Sequence, residues 1–238
     1  MSDIAEKVVM ITGASGNLGL ATTQAFLSSG YRLALLDLDT DRIPERIPEL
    51  LKKTPNPLYH SVDLTSEEQV EKAVLNTVTA LGQIDVLVNI AGGYKGGIAI
   101  HETSTEDLDF LLNLNFRTTF NTSKAVIKHM LNRGSGNIIN IAARGGITGA
   151  ARMGVYSASK SAVIRITESM SAELKHQGIR VNCILPGTID TPRNREDMPD
   201  ADFSRWVQPE TIADVILFLA SDQARGITGA SIPVYGRS

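Results

Sequence analysis

The chain carries one cysteine, Cys183, so no disulfide can close within it. That thiol sits in the apolar run Val181-Asn182-Cys183-Ile184-Leu185, where a small buried side chain is expected rather than a reactive group. No uninterrupted apolar stretch approaches the ~20 residues that span a bilayer. The opening residues, Met1 to Lys7, lack a basic flank followed by an apolar core, so a cytoplasmic protein with no membrane partner is expected. No basic run or stripe accompanies the formal net charge of −3, which argues against a nucleic-acid partner held through its phosphates. His60, His101, His129 and His176 are too scattered for metal-ligand spacing, and no second cysteine helps them, so no metal is expected. Linkers, repeats and a second domain are also missing from the 238 residues, a length suited to one α/β domain.

What is present is alternation. Short runs rich in Val, Ile and Leu predict strands over Lys7 to Thr12, Arg32 to Asp37, Leu58 to Asp63, Val86 to Asn89, Asn137 to Ile141, Arg180 to Leu185 and Ser231 to Val234. Amphipathic segments between them predict helices over Leu18 to Ser29, Ser66 to Leu81, Thr105 to Asn132, Val155 to His176 and Pro209 to Ala220. Ser66-Glu67-Glu68 and Ser104-Thr105-Glu106-Asp107 supply the hydroxyls and carboxylates that a first helical turn needs. Pro44, Pro48, Pro55 and Pro57 predict a short or broken helix between Thr40 and Pro57. The pattern is that of a single-domain, Rossmann-like, doubly wound parallel sheet with helices on both faces, covering residues 1–238.

Three constellations point to chemistry. Val8 to Thr12 reads as a buried strand, and Gly13-Ala14-Ser15-Gly16-Asn17-Leu18-Gly19 turns it into a helix whose amides and dipole can meet a pyrophosphate. Such a turn is also compatible with a mere tight connection. Asp37 closes the second strand about twenty residues later, where a carboxylate can accept hydrogen bonds from an adenosine ribose or cap the following turn. Its charge repels a 2′-phosphate and favours NAD over NADP, with Arg42 close enough to oppose it. Finally, Tyr156 and Lys160 stand one helical turn apart, so an ammonium can favour the ionised phenol and tune it for proton transfer.

Together these residues resemble the short-chain dehydrogenase/reductase family over essentially the whole chain. The marks come in order: Thr12 to Gly19, Asp37, Asp63-Leu64, Asn89-Ile90-Ala91-Gly92, Asn115, Tyr156 with Lys160, and Pro186-Gly187-Thr188-Ile189-Asp190-Thr191-Pro192. The resemblance implies an NAD-dependent oxidoreductase that is a homodimer or homotetramer. It implies that Gly13, Ser15, Asn17, Leu18, Gly19 and Asp37 bind cofactor, that Asp63 and Leu64 flank adenine, and that Asn89, Ala91 and Gly92 line the cofactor. Pro186, Ile189 and Thr191 lie near the carboxamide in this reading. Tyr156 is the proton donor, Lys160 holds the nicotinamide ribose, and Asn115 holds a water in a relay to Lys160. An apolar row on the helix from Val155, formed by Ala158, Ala162, Ile166 and Met170, suits either a partner helix or the chain's own sheet.

The departures concern the turn and the substrate. Asn17 falls where the family's middle glycine is usual, and its tolerance of left-handed geometry is expected to preserve the turn. Ile90 replaces a common asparagine. Ala143 stands thirteen residues before Tyr156, where the family usually has a serine that polarises the substrate carbonyl. That leaves an easily reduced substrate, a substitute donor such as Arg144 or Thr148, or a protein that binds cofactor without turnover. Alanine followed by a basic residue, the segment Asp190 to Trp206 and the loop Ala91 to Gly97 resemble one branch of the family, dihydropteridine reductase. That likeness implies a quinonoid dihydropterin as substrate, with Tyr94 and Trp206 as aromatic contacts. Residues Arg193 to Trp206 are expected to form a substrate lid. Their charges read most simply as surface ion pairs.

Overall fold

A computed structural model of the chain describes residues 7–52 and 56–237. The opening segment up to Glu6 and Pro55 lie outside the described residues. Seven strands, β1 (Val8–Thr12), β2 (Arg32–Asp37), β3 (Leu58–Ser61), β4 (Val86–Asn89), β5 (Gly136–Ile141), β6 (Ile179–Pro186) and β7 (Ser231–Val234), form one sheet. They are ordered β3-β2-β1-β4-β5-β6-β7, and every pairing is parallel. The winding reverses between β1 and β4, where Thr12 sits beside both Leu36 and Asn89. A crevice opens at such a point, outside the carboxyl ends of the strands.

The helices are α1 (Asn17–Ser28), α2 (Ile43–Arg46), α3 (Glu67–Leu81), α4 (Thr105–Leu112), α5 (Thr118–Arg133), α6 (Gly154–Leu174), α7 (Pro192–Asp197) and α8 (Pro209–Ala220). Because strand side chains alternate, Val9, Ile11, Leu33 and Leu35 pack on one face with Phe26, Ile212 and Ile216 of α1 and α8. Met10, Ala34, Leu36 and Leu87 pack on the other with Val74 of α3, Val126 of α5 and Met170 of α6. Both faces are therefore covered, which is why the strands read as unbroken apolar runs. Ser66 and Ser104 accept hydrogen bonds from Gln69 N and Asp107 N, the caps expected of them.

One expected break is found, and two boundaries differ from expectation. The proline-rich segment yields only α2 and a short 3-10 turn over Pro48–Lys52, as expected. β3 stops at Ser61 because Asp63 turns back to accept from Thr65, although Val62 N still bonds Asp37 O at 2.8 Å. The helix expected over Thr105 to Asn132 is broken by a π-turn at Asn113–Arg117, the kind of bulge often found at functional sites. On α6 the apolar row divides: Met170 is buried in the core and Ile166 packs against it, while Ala158 is exposed. The lower half of the row thus serves the chain's own sheet.

Candidate active site

A cleft of about 1280 Å³ runs along the carboxyl ends of the strands from Asp37 past Tyr156 to Tyr235. Its floor at one end is the turn from β1 into α1. Gly13 has φ +66°, and a Cβ there would lie 2.8 Å from Ala91 N; a Cβ on Gly19 would lie 2.1 Å from Gly13 O. Only hydrogen fits at either position, so the backbone at the start of α1 approaches the cleft closely. That cradle fits a pyrophosphate. Ser15, Asn17 and Leu18 line it as well.

Asn17 preserves the turn for a different reason from the one expected. It is the first residue of α1, and Arg152 is the only described non-glycine residue with positive φ. The left-handed step belongs to Gly13. Asn17 Oδ1 instead accepts from Arg46 Nη2 at 3.3 Å, while Arg46 Nη1 donates to Ser15 O at 3.1 Å. The cation beside the turn is therefore Arg46 rather than the expected Arg42. Asp37 lies at the same rim: Oδ2 accepts from Ser15 N at 2.9 Å and Ser15 Oγ at 2.7 Å, and Oδ1 accepts from Leu38 N at 2.8 Å. Its carboxylate is held by the glycine turn itself. Asp63 and Leu64 form the adjoining wall.

Asn89 needs correction. Ile90, Ala91 and Gly92 line the cleft, but Asn89 is buried beneath it. Its Nδ2 donates to Ser123 Oγ at 3.0 Å and Asn140 Oδ1 at 2.8 Å, and its Oδ1 accepts from Thr122 Oγ1 at 2.6 Å. The side chain fastens β4 to β5 and α5. Thr12 Oγ1 accepts from Ile90 N and Ala91 N, so the isoleucine leaves this clamp intact.

At the other end, α6 presents Tyr156 and Lys160. Lys160 is 5% exposed; its Nζ donates to Ile141 O at 3.0 Å, and burial pushes its pKa down to about 8. Burial also acts on Tyr156, with the neighbouring Tyr94 phenol adding to it, and pushes its pKa up to about 12. The expected lowering by Lys160 is not found, because desolvation of the phenol dominates. Tyr94 stands edge-on to Tyr156, with centroids 4.9 Å apart and planes at 81°.

Asn115 sits in the π-turn, but its amide is committed. Oδ1 accepts from Gly93 N at 2.9 Å, while Nδ2 donates to Gly93 O at 3.1 Å and Ser159 Oγ at 3.0 Å. Ser159, which the sequence reading passed over, also donates to Tyr156 O at 2.8 Å. The legible signal was its place one turn after Tyr156 and immediately before Lys160. A Cβ on Gly92 would lie 2.8 Å from Asn115 Oδ1 and 3.1 Å from Lys160 Nζ, so this glycine leaves the space where the groups converge.

Pro186, Ile189 and Thr191 line the cleft beside them; Thr191 Oγ1 accepts from Asn194 N at 3.2 Å and caps α7. Ala143, Arg144, Thr148 and Tyr94 face the reacting end. Trp206 does not: it is 9% exposed, packs on Phe203 at 4.7 Å and lies outside the cleft lining. The expected lid is tied internally. Arg195 grips Asp190 through two bonds of 2.6 and 2.7 Å and stacks on Phe203, and Gln208 adds a third bond to Asp190. These donors hold the Asp190 carboxyl down to about 2. Arg193 pairs with Asp197, and Arg205 donates to Arg237 O.

Among the described residues no group of histidines, cysteines and carboxylates is placed to hold a metal, and no helix is long and apolar enough to cross a membrane. Cys183 is buried beside Ser231, with burial pushing its thiol pKa up.

Comparison with known proteins agrees with this geometry. The sequence model of the short chain dehydrogenase family matches residues 7–202. The chain is 33% identical over 239 residues to the 3-oxoacyl-[acyl-carrier-protein] reductase FabG of Thermotoga maritima, covering 97% of this chain and 96% of that one. Its structure is similar to NAD+-bound xylitol dehydrogenase at TM-score 0.88 and 29% identity, covering 99% and 100% of the two chains. It is likewise similar to ElxO with NADP bound at TM-score 0.89 and 29% identity, covering 97% of each. With the glycine turn, the switch-point cleft and the Tyr156–Lys160 pair assembled on one parallel sheet, this chain belongs to the short-chain dehydrogenase family.

Proposed function

We propose that the chain is an NAD(H)-dependent oxidoreductase interconverting a carbonyl and an alcohol on a small organic substrate. The observation that carries this reading is the pairing of a half-buried phenol and a buried ammonium on one turn of α6, with Asn115 of the π-turn converging with Lys160 Nζ at Gly92 and reaching Ser159, which in turn donates to Tyr156 O. The nicotinamide supplies hydride when bound. The amides of Gly13 to Gly19 would hold its pyrophosphate, Asp37 its adenosine ribose, and Lys160 Nζ its nicotinamide ribose.

With a pKa near 12, Tyr156 keeps its proton at neutral pH and serves as the acid for carbonyl reduction, donating from Oη to the substrate oxygen. Asp37 supports NAD over NADP because a 2′-phosphate would stand against its carboxylate; relatives of this fold take either cofactor. Ala143 offers no donor to the developing oxyanion, a loss worth about 10²–10³ in rate elsewhere, so turnover is expected to be modest. The same alanine favours a second reading, a catalytically weak NAD(H)-sensing protein. A quinonoid dihydropterin finds no support in this site, because Trp206, one of its two expected aromatic contacts, packs on Phe203 away from the cleft.

The test is NADH binding followed by fluorescence, together with NADH oxidation across aldehydes and ketones, for the native chain and Tyr156→Phe. Turnover should fall by about 10²–10⁴ with NADH affinity unchanged. Unchanged turnover would remove Tyr156 from the chemistry. NADH binding with no turnover of any carbonyl would favour the sensor.

A further inference from the structure

A proton donor has to meet its acceptor at a set angle, which raises the question of what aims Tyr156. Among the described residues no side chain hydrogen-bonds Tyr156 Oη, and Ala143, which lines the same cleft, has no hydroxyl to offer. Lys160 Nζ is committed to Ile141 O. The aim of the phenol therefore comes from contacts of its ring. One is the turn after β5, where a Cβ on Gly145 would lie 3.4 Å from Tyr156 Cε1. The other is Tyr94, whose ring stands edge-on with centroids 4.9 Å apart and planes at 81°. Edge-to-face packing is attractive and directional, so it favours one angle of the ring over others.

Tyr94 is 60% exposed, and an exposed side chain on a loop is ordinarily free to move. This one is held. Its Oη lies over Gly96, where any Cβ would collide with it, so a glycine lets the side chain fold back along its own loop. The loop itself is tied to three other segments. Gly93 N and Gly93 O both bond the Asn115 amide in the π-turn. Lys95 Nζ pairs with Asp107 of α4. Gly97 N donates to Arg152 O at 2.9 Å, just before α6. That last tie involves strain, since Arg152, at φ +61°, is the only described non-glycine residue in the left-handed region. Strain of this kind persists where the surrounding contacts over-determine it. Positions 93, 95 and 97 are thus anchored, and Tyr94 stands between the first two.

We infer that Tyr94 is a positioning residue for Tyr156: its ring sets the angle of the phenol, and the ties at Gly93, Lys95 and Gly97 hold Tyr94 in turn. The effect on rate rests on the oxidoreductase reading; the bracing of one ring by the other does not. Asn115 then serves the phenol twice, through Ser159 to the backbone of Tyr156 and through Gly93 to the residue that braces its ring. Burial, and after it the Tyr94 phenol, raises the Tyr156 pKa, so the two side chains also sense each other's charge.

The experiment compares the native chain with Tyr94→Leu and Tyr94→Phe in two ways. NMR of ring-labelled tyrosine, with Tyr156→Phe assigning the signal, should show the Tyr156 ring displaced by a neighbouring ring current in the native chain and in Tyr94→Phe, and the displacement lost in Tyr94→Leu. NADH oxidation with butanone and with acetophenone should show kcat lowered roughly three- to tenfold in Tyr94→Leu, the scale of one aromatic pair, with KM and NADH affinity unchanged. Tyr94→Phe should restore most of that loss, because the ring and not the hydroxyl does the bracing. Tyr94 is largely exposed, so both variants should fold, and a melting curve checks that. An undisplaced Tyr156 signal in the native chain overturns the inference whether or not any ketone is reduced. A native kcat in Tyr94→Leu overturns it too, as does a loss confined to KM that grows from butanone to acetophenone, which would make Tyr94 a substrate contact. Failure of the native chain to bind NADH overturns the oxidoreductase reading instead, and the ring signals then decide alone whether Tyr94 holds Tyr156.

Discussion

The two ends of the cleft are built on different principles. At the adenosine end the walls are backbone: Gly13 and Gly19 admit no side chain, and even Asp37 is held by the amide and hydroxyl of the turn it faces. At the reacting end the site is made of side chains from β5, the π-turn, α6 and the segment after β7, each set by burial and by partners distant in sequence. The first end tolerates exchange of rim residues but not of a hydrogen on its floor. The second tolerates no change of burial or charge, because its groups work from shifted pKa values.

The strongest attack on this contrast is Gly19→Ala. The new methyl would sit 2.1 Å from Gly13 O, and the obstacle is backbone that cannot rotate away. Overpacking in a core usually costs ~1–3 kcal/mol because side chains adjust, so a larger loss is expected here, together with loss of NADH binding. Denaturant unfolding measures the first and fluorescence titration the second. A variant with native stability would show that the turn yields, and the contrast would fail.

At the reacting end the corresponding test is pH. Lys160 has a folded pKa of about 8 against 10.5 for the free group. Below pH 8 it is charged in both states and the burial penalty is complete; between 8 and 10.5 the unfolded chain binds more protons than the folded one, so stability rises with pH. The full rise is about 3 kcal/mol, and the part up to about pH 9 is readable before the buried Cys183 thiol and then Tyr156, both with raised pKa values, act in the opposite direction. Tyr156 has the opposite sign, holding its proton to about pH 12 when folded, and lowers stability above pH 10. Unfolding free energies from pH 7.5 to about 9 should therefore slope upward in the native chain and lose that slope in Lys160→Met. Parallel curves would mean that Lys160 is solvated.

The same division explains what could be read in the sequence. The sheet, the order of strands and helices along the chain and the glycine turn were legible because each follows from periodicity or from backbone geometry written in glycines, whereas Asp37 and the Tyr156–Lys160 pair, which line the same cleft, stood out by a place at a strand end, by one-turn spacing and by family resemblance. Asn89 and Trp206 were misread as site residues because nothing local distinguishes a polar side chain facing a cleft from one tying β4 to α5, or an aromatic on a ligand from one on Phe203. Ser159 was missed for the converse reason: its value depends on Asn115, which reaches it across 44 residues of chain. The direction of the Tyr156 shift was misjudged because spacing shows which groups are near but not how much water surrounds them.

The smallest expected effect lies at the rim of the adenosine end. Arg46 is exposed and bonds Ser15 O and Asn17 Oδ1, so it stands beside Asp37, the carboxylate that we propose discriminates against a 2′-phosphate. If the backbone sets affinity there, Arg46 can only trim it. Arg46→Ala should leave NADH affinity unchanged, and NADPH affinity should fall by about fivefold at most, the scale of one solvent-exposed charge pair. Parallel fluorescence titrations with the two cofactors decide it. A loss of a hundredfold for NADPH would mean that a side chain governs this end too, and that Asn17, by anchoring Arg46 through an oxygen no glycine has, belongs to cofactor choice rather than to the turn.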